Sequence, residues 1–306
     1  MSYRDLSFTV PEEISGVRLD KGISDFYEEI SRSRIAGVIK SGDVRVNGEP
    51  AKASYRLKYG DSIGLLLPES EVPDIMPEDI PLDILYEDDD LLIVNKPKGM
   101  VVHPAAGHYT GTLVNALMYH CRDLSGINGV LRPGIVHRID KDTTGSVIVC
   151  KNDNAHRFIA SQLKEHSIDR RYRAIVHGSF SDTKGTVDIP IARDRHDRKR
   201  MAPDPAGKRA VTHYEVLEAF KGYTYIECRL ETGRTHQIRV HMNHIGHPIV
   251  GDAVYGPRKT PFHTEGQTLH AYFIGLDRPD GKGHIEVTAP LPEYFEALLK
   301  KLKAMC

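Results

Sequence analysis

The densest run of reactive side chains lies in residues 132–145, which carry His137, Arg138, Asp140, Lys141, Asp142, Thr143 and Thr144. A carboxylate there can act as nucleophile or base, and the guanidinium and hydroxyls can hold a polar substrate. The run leads straight into the apolar residues 146–150. A loop feeding a buried strand is held rigidly enough for chemistry. Taken alone, it reads almost as well as a polar turn whose Asp and Thr side chains satisfy backbone groups. A second cluster, residues 232–241, holds Arg234, Thr235, His236, Arg239 and His241. On a helix, Arg239 falls four residues after Thr235 and three after His236, near one face. Arg234 and the free N–H groups of a helix start suit phosphate. Arg239 suits a carboxylate that it would keep ionised. A surface helix with ordinary basic residues is the plain alternative.

His236, His241, His244 and His247 invite a metal reading, and the last three partly fit helical ligand spacing. No HExxH motif or cysteine partner accompanies them, and Gly246 and Pro248 break the helix. Histidines that bind no metal are the expectation. There is no GxxxxGK[ST] or GxGxxG phosphate loop and no GxSxG elbow, which disfavours nucleotide-dependent and serine-hydrolase chemistry.

These clusters need a scaffold. Residues 91–95 and 146–150 read as buried strands. Residues 172–176 form a further strand with Tyr172, Ala174 and Val176 on one side, and 225–230 another. Asn152 or Asn154 caps a helix running through Lys164, with Ala155, Phe158, Ile159 and Leu163 on its inner face. Thr235 caps a short helix that stops near Gly246, with Ile238, Met242 and Ile245 facing inward. An amphipathic helix with Tyr294, Phe295, Leu298, Leu299 and Leu302 ends the chain. Strands and helices mixed without regular βαβ alternation predict an α+β domain around a mixed sheet. Upstream, residues 17–39 have helical character. Residues 42–67 read as short strands, with a hairpin at Asn47-Gly48. Residues 68–82 combine four prolines with carboxylates and predict an extended linker. The expected division is therefore 1–67, a linker at 68–82, and 83–306.

The net charge of -1 excludes nothing, because acidic residues gather in 69–90 while basic ones gather in 164–173 and 193–200. A neutral total can hide a basic face for nucleic acid. No apolar run is long enough to span a membrane. The start MSYRDLSFTVPEE lacks a secretory apolar stretch, and the four cysteines form no CxxC pair. A cytoplasmic protein with reduced thiols and no membrane partner is expected.

Four ordered elements resemble the RluA/RluD family of RNA pseudouridine synthases. His137-Arg138-Ile139-Asp140-Lys141-Asp142-Thr143-Thr144-Gly145 is similar to its HRLDxxTSG motif, with Ile for Leu and Thr for Ser. Asn95-Lys96-Pro97-Lys98-Gly99 followed by Val102-His103-Pro104 resembles its NKPxG…VHP element. Arg171-Tyr172-Arg173-Ala174-Ile175-Val176 resembles its KxYxAxV strand, with Arg in place of Lys. Residues 233–241 with 246–252 resemble its closing motif. The N-terminal unit resembles an S4 RNA-binding domain through Arg18-Leu19-Asp20, Ser31-Arg32-Ser33, Ile39, residues 42–48 and residues 60–63. Gly22 stands where that domain usually has a larger residue, which bears on helix packing there.

The resemblance implies a pseudouridine synthase domain with a mixed, largely antiparallel sheet and flanking helices, plus a small S4-type α/β module. It implies isomerisation of uridine in RNA, expected to be large-subunit ribosomal RNA or its precursor particle, with transfer RNA as the other candidate. That reaction breaks N1–C1′ and forms C5–C1′ without redox change or hydrolysis, so neither cofactor nor metal is expected. Asp140 is the implied nucleophile or base, and Arg239 its charge partner. Tyr172 is the implied stacking group on the uracil. Arg138 is the implied residue that fills the position left by the flipped base, at a cost of about a few kcal/mol for flipping. His137, Thr143, Arg234 and His236 are grouped with it as RNA contacts. Arg18, Arg32, Ser33, Arg34, Lys40 and Arg45 are the expected RNA-binding residues of the S4 module. Attack at C6, attack at C1′ and removal of the C2′ proton all stay open for Asp140. A monomer is expected. A non-catalytic RNA-binding or ribosome-assembly factor, and more distantly a metal-dependent phosphohydrolase, are the competing readings.

Overall fold

The computed structural model describes residues 3–27, 29–68, 75–104, 108–121, 124–127, 129, 132–197, 199–257, 261–264 and 266–305, with the backbone alone for Ser33. The chain divides into two compact units, Met1–Asp74 and Ile75–Cys306.

In the first unit, β1 (Tyr3–Thr9) pairs antiparallel with β4 (Ser62–Pro68) along its whole length. Two helices, α1 (Leu19–Phe26) and α2 (Arg32–Ser41), precede the hairpin of β2 (Val44–Val46) and β3 (Glu49–Pro50). Asn47 and Gly48 both take positive φ at the hairpin turn, as a two-residue turn between twisted strands requires. Strand β1 is absent from the sequence reading, because its residues are mostly exposed and show little alternation. Gly22 sits against Leu57, whose Cδ1 would lie 2.2 Å from an added Cβ. The missing side chain is thus replaced by packing from the loop before β4.

Of the expected linker 68–82, Pro68 closes β4, and residues 69–74 lie outside the described residues. Residues 75–82 belong to the second unit. Ile75 is buried in its core, and Asn115 Nδ2 donates to the Met76 carbonyl at 2.9 Å. An apolar Ile and an amide partner outweigh the extended tendency of the prolines here.

The second unit opens with β5 (Ile84–Glu87), β6 (Leu91–Lys96), α3 (Leu113–His120), β7 (Thr144–Cys150), α4 (Asp153–Glu165) and β8 (Asp169–His177). It continues through β9 (Lys184–Asp188), β10 (Ile191–Arg193), β11 (Met201–Pro203), β12 (Val211–Phe220) and β13 (Tyr223–Leu230). It closes with α5 (Gln237–His244), β14 (Leu269–Asp277), β15 (His284–Thr288) and α6 (Glu293–Lys303). Nine strands form one sheet in the order β5-β6-β7-β14-β8-β13-β12-β9, with β15 also on β14. All neighbours are antiparallel except β7 and β14. The fold is α+β with a mixed, largely antiparallel sheet.

The continuous apolar runs of β6 and β7 follow from burial on both faces. Leu92, Val94, Val147 and Val149 join a core with α3 and α5, while Leu91, Ile93, Ile148 and Cys150 join one with α4. Asn152 caps α4, accepting from the Ala155 N–H at 2.9 Å. Phe158, expected inside, is exposed. The inward residues are Ala155, His156, Ile159 and Gln162, a stripe that leaves Phe158 on its flank. Cys121, Cys150 and Cys228 are buried free thiols.

Candidate active site

Strand register brings the predicted residues together. Gly145, Ala271, Tyr172 and Cys228 lie side by side across β7, β14, β8 and β13. Gly145 has φ +105°, and a Cβ there would stand 2.3 Å from the Ala271 carbonyl oxygen. Glycine is therefore required where the Asp140 loop enters the sheet. The loop is fastened on both sides of Asp140. The Ile148 N–H donates to His137 Nε2 at 2.9 Å, and the Thr143 N–H donates to the Asp140 carbonyl at 3.1 Å. The β13–α5 connection then brings Arg239 over from three strands away, across β14 and β8.

Arg239 stands between two carboxylates. Its Nη1 donates to Asp140 Oδ2 at 2.8 Å, while Nε and Nη2 form a fork on Asp252 at 2.7 and 2.9 Å. The Asp252 side chain is fully buried and also accepts from the Val254 and Tyr255 N–H groups. Burial alone would lower the arginine's pKa, but Asp252 and then Asp140 hold it above its ordinary value. Burial would likewise raise Asp252, and Arg239 outweighs it. The Tyr255 ring covers the guanidinium at 5.1 Å. Asp252 thus fixes the arginine, and the arginine fixes Asp140.

His236 flanks the same carboxylate, with Nε2 3.9 Å from Asp140 Oδ1. Burial lowers its pKa below the ordinary histidine value, against the pull of Asp140. Tyr255 Oη accepts from the Met201 N–H at 2.8 Å and is hydrogen-bonded to His236 Nδ1, also at 2.8 Å. Tyr172 is buried, which raises its phenol pKa. A cavity of about 530 Å³ opens here, lined by Arg138, Asp140, Arg170, Tyr172, His236 and Arg239 among others. Its size suits a nucleotide-sized ligand.

Residues 90–244 match the RNA pseudouridylate synthase family, and residues 17–63 match the S4 domain. The chain belongs to the RNA pseudouridylate synthases. It is 52% identical over 97% of its length to a Bacillus subtilis (strain 168) protein called an uncharacterized RNA pseudouridine synthase, covering 98% of that relative. It is 48% identical to the ribosomal large subunit pseudouridine synthase D of Zymomonas mobilis, over 96% of each chain. The solved structure of human RNA pseudouridylate synthase domain containing 4 matches with a TM-score of 0.57 and 26% identity, over 72% of this chain and 92% of that one.

Several contributors to this synthase's site escaped the sequence reading. The pattern KxYxAxV has its basic residue two positions before the tyrosine, which is Arg170 and not Arg171. Arg171 pairs with Asp169 at 2.5 Å on the other face. Asp252 and Lys96 stood in quoted motifs without a role. Lys96 is completely buried, and its Nζ donates to the carbonyls of Pro97, Met100 and Lys141 at 2.8, 2.9 and 2.9 Å. Burial pulls its pKa down to about 7 against the charges of Asp142 and Asp140. The Lys141 contact ties the Asp140 loop to residues 97–100. Lys96→Met should therefore cost roughly 3 kcal/mol in urea denaturation, because three carbonyls lose their donor. A loss below about 1 kcal/mol would contradict that anchoring role.

Thr235 caps no helix. Helix α5 begins at Gln237, preceded by His236 in the left-handed conformation at φ 57°. Gln237 closes the turn instead, accepting from the Thr232 hydroxyl and the Arg234 N–H and donating to Val211 O and Thr212 Oγ1. His137 lines the cavity but also anchors to β7, and burial lowers its pKa to about 3. Thr143 is buried and accepts from Gln267 Nε2. Arg234 is exposed, with Nε donating to the Arg209 carbonyl. His241 and His247 bond to Thr212, Ile189 and His177. The four histidines form no metal-ligand group among the described residues; the one group found is Glu87, His120 and Cys121.

In the S4 unit, Arg18 and Arg32 both bind the buried Asp20, at 3.0 and 2.7 Å. Burial would raise the Asp20 carboxyl, and the two arginines hold it below its ordinary range. About half of each arginine side chain remains exposed. Arg34 donates to the Pro68 carbonyl and Arg45 to that of Gly48. Lys40 is exposed. The side chain of Ser33 lies outside the described residues. No helix among the described residues is long and apolar enough to cross a membrane.

Proposed function

We propose that the chain isomerises uridine to pseudouridine in large-subunit ribosomal RNA, with Asp140 as the reacting carboxylate. The observation that carries this reading is the Asp252–Arg239–Asp140 chain, which aims an arginine-held carboxylate into a cavity shared with Tyr172. The 48% identity to a protein named for the large ribosomal subunit supports the choice of RNA.

In this reading the target nucleotide leaves its stack and its base lies on Tyr172. Arg138, exposed on the cavity wall, takes the vacated place in the RNA. His236 flanks Asp140, and Thr143 and His137 hold the loop. Arg234, with the half-exposed Arg18 and Arg32 and with Ser33, Arg34, Lys40 and Arg45, engages phosphates. The exchange conserves all atoms of the nucleoside except that the C5 hydrogen leaves and N1 gains a proton. It is redox-neutral and uses no cofactor. The protein works as a cytoplasmic monomer.

Carbodiimide adducts at pseudouridine stop reverse transcription, which gives a direct map. Incubation with a large-subunit rRNA transcript should add discrete stops that a transfer RNA transcript lacks. Stops on transfer RNA alone would reassign the substrate. Specific RNA binding with no stop on either RNA or on precursor particles would favour a binding factor.

A further inference from the structure

Two buried arginines line the cavity, and only one is matched by carboxylates. Arg239 faces Asp140 and Asp252. Arg170, 6% exposed, has no carboxylate partner among the described residues. Its Nη2 reaches the Glu231 carbonyl at 3.4 Å, and its Nε has no hydrogen-bond partner. A buried, uncompensated guanidinium is expensive. The chain nevertheless makes room for it. A Cβ on Gly233 would lie 2.9 Å from Arg170 Nη1, so the β13–α5 connection is shaped around this head group.

Arg170 precedes Tyr172 by two positions on β8 and shares its inward face, both being buried with the half-buried Arg171 between them. Successive same-face positions are about 6.7 Å apart. A uracil lying on Tyr172 would therefore lie beside the Arg170 head group, for which either exocyclic oxygen is an acceptor. When N1–C1′ breaks, its electron pair stays on the uracil and spreads onto O2 and O4. Turning the ring so that C5 replaces N1 exchanges O2 and O4. One fixed donor thus serves the base both before and after the turn.

We propose that Arg170 donates hydrogen bonds to a uracil carbonyl and balances the negative charge of the detached base. This rests on the reading that the site makes pseudouridine. The base anion is the carboxylate-like partner that the folded chain withholds, and a preorganised donor at developing charge is a strong source of rate. Arg170 itself gives up no proton: C5 bonds to C1′ and releases its hydrogen to solvent as a proton, and N1 takes one from solvent.

The test is single-turnover tritium release by the full chain on a substrate transcript, beside RNA binding. Arg170→Met should slow turnover about 10²–10³-fold while leaving RNA Kd within about threefold. Arg170→Lys should recover part of the rate, and it also serves if the methionine variant fails to fold. Placing 4-thiouridine at the target weakens one acceptor. The wild type should slow with it, and Arg170→Met should show no added penalty, the mark of a direct contact. Equal sulfur penalties in both proteins, or a rate loss that merely tracks Kd, would overturn the proposal and point to a structural or phosphate role. Wild type and Asp140→Asn run in parallel separate the two levels. Active wild type with a silent Arg170 result rejects this inference alone, whereas inactive wild type on every RNA rejects the reading beneath it as well.

Discussion

Asp140→Asn should fold, bind RNA and fail to turn over, with the rate down by at least about 10⁴-fold. Each route open to this residue needs an ionised carboxylate: attack at C6, attack at C1′, or removal of the C2′ proton. An amide keeps the shape and none of that reactivity. Folding should be preserved because the loop does not depend on the Asp140 side chain. Lys96, the His137 contact with β7 and the Thr143 turn hold it through backbone groups. Arg239 also keeps its fork on Asp252 when Asp140 is neutral. Single-turnover assay with a filter-binding control checks both halves. Residual turnover within about tenfold of wild type would remove Asp140 from the chemistry.

Asp252→Ala should destabilise the fold strongly while leaving every cavity-lining side chain intact. Both partners are buried, so loss of the carboxylate strands two guanidinium N–H groups, together with the Val254 and Tyr255 N–H groups. Removing one partner of a buried ion pair costs about 3–5 kcal/mol. The lower end is expected here, about 3 kcal/mol, because Asp140 still accepts one N–H from Arg239. Turnover should fall about 10²-fold because Arg239, held by Asp140 alone, no longer fixes that carboxylate in place, with RNA affinity unchanged. Urea denaturation and single-turnover rates measure the two effects. A stability loss under about 1 kcal/mol would mean that Arg239 does not need its anchor.

Local pattern made part of this site legible. The 137–145 loop, the β7 strand after it, the Tyr172 face of β8 and a helix carrying Arg239 all follow from short-range spacing and motif likeness. Sheet order was not legible, because β14 enters between β7 and β8 from more than a hundred residues downstream. That insertion aligns Gly145 with Tyr172. Lys96, Asp252 and Arg170 were missed for a common reason. A charged residue in sequence reads as solvated, and only tertiary packing shows three carbonyls around one ammonium or a fork around one guanidinium. The start of α5 misled for the opposite reason. Thr235 has a capping side chain, but His236 takes the left-handed turn and Gln237 supplies the hydrogen bonds.

Pseudouridine formation at this carboxylate site releases the uracil C5 hydrogen, and that loss reports the reaction directly. The measurement is tritium release from a C5-labelled large-subunit rRNA transcript, with wild type and Asp140→Ala, each with and without EDTA. The expected result is release by the wild type alone, unchanged by the chelator. Release that persists in Asp140→Ala, or that EDTA abolishes, would contradict it.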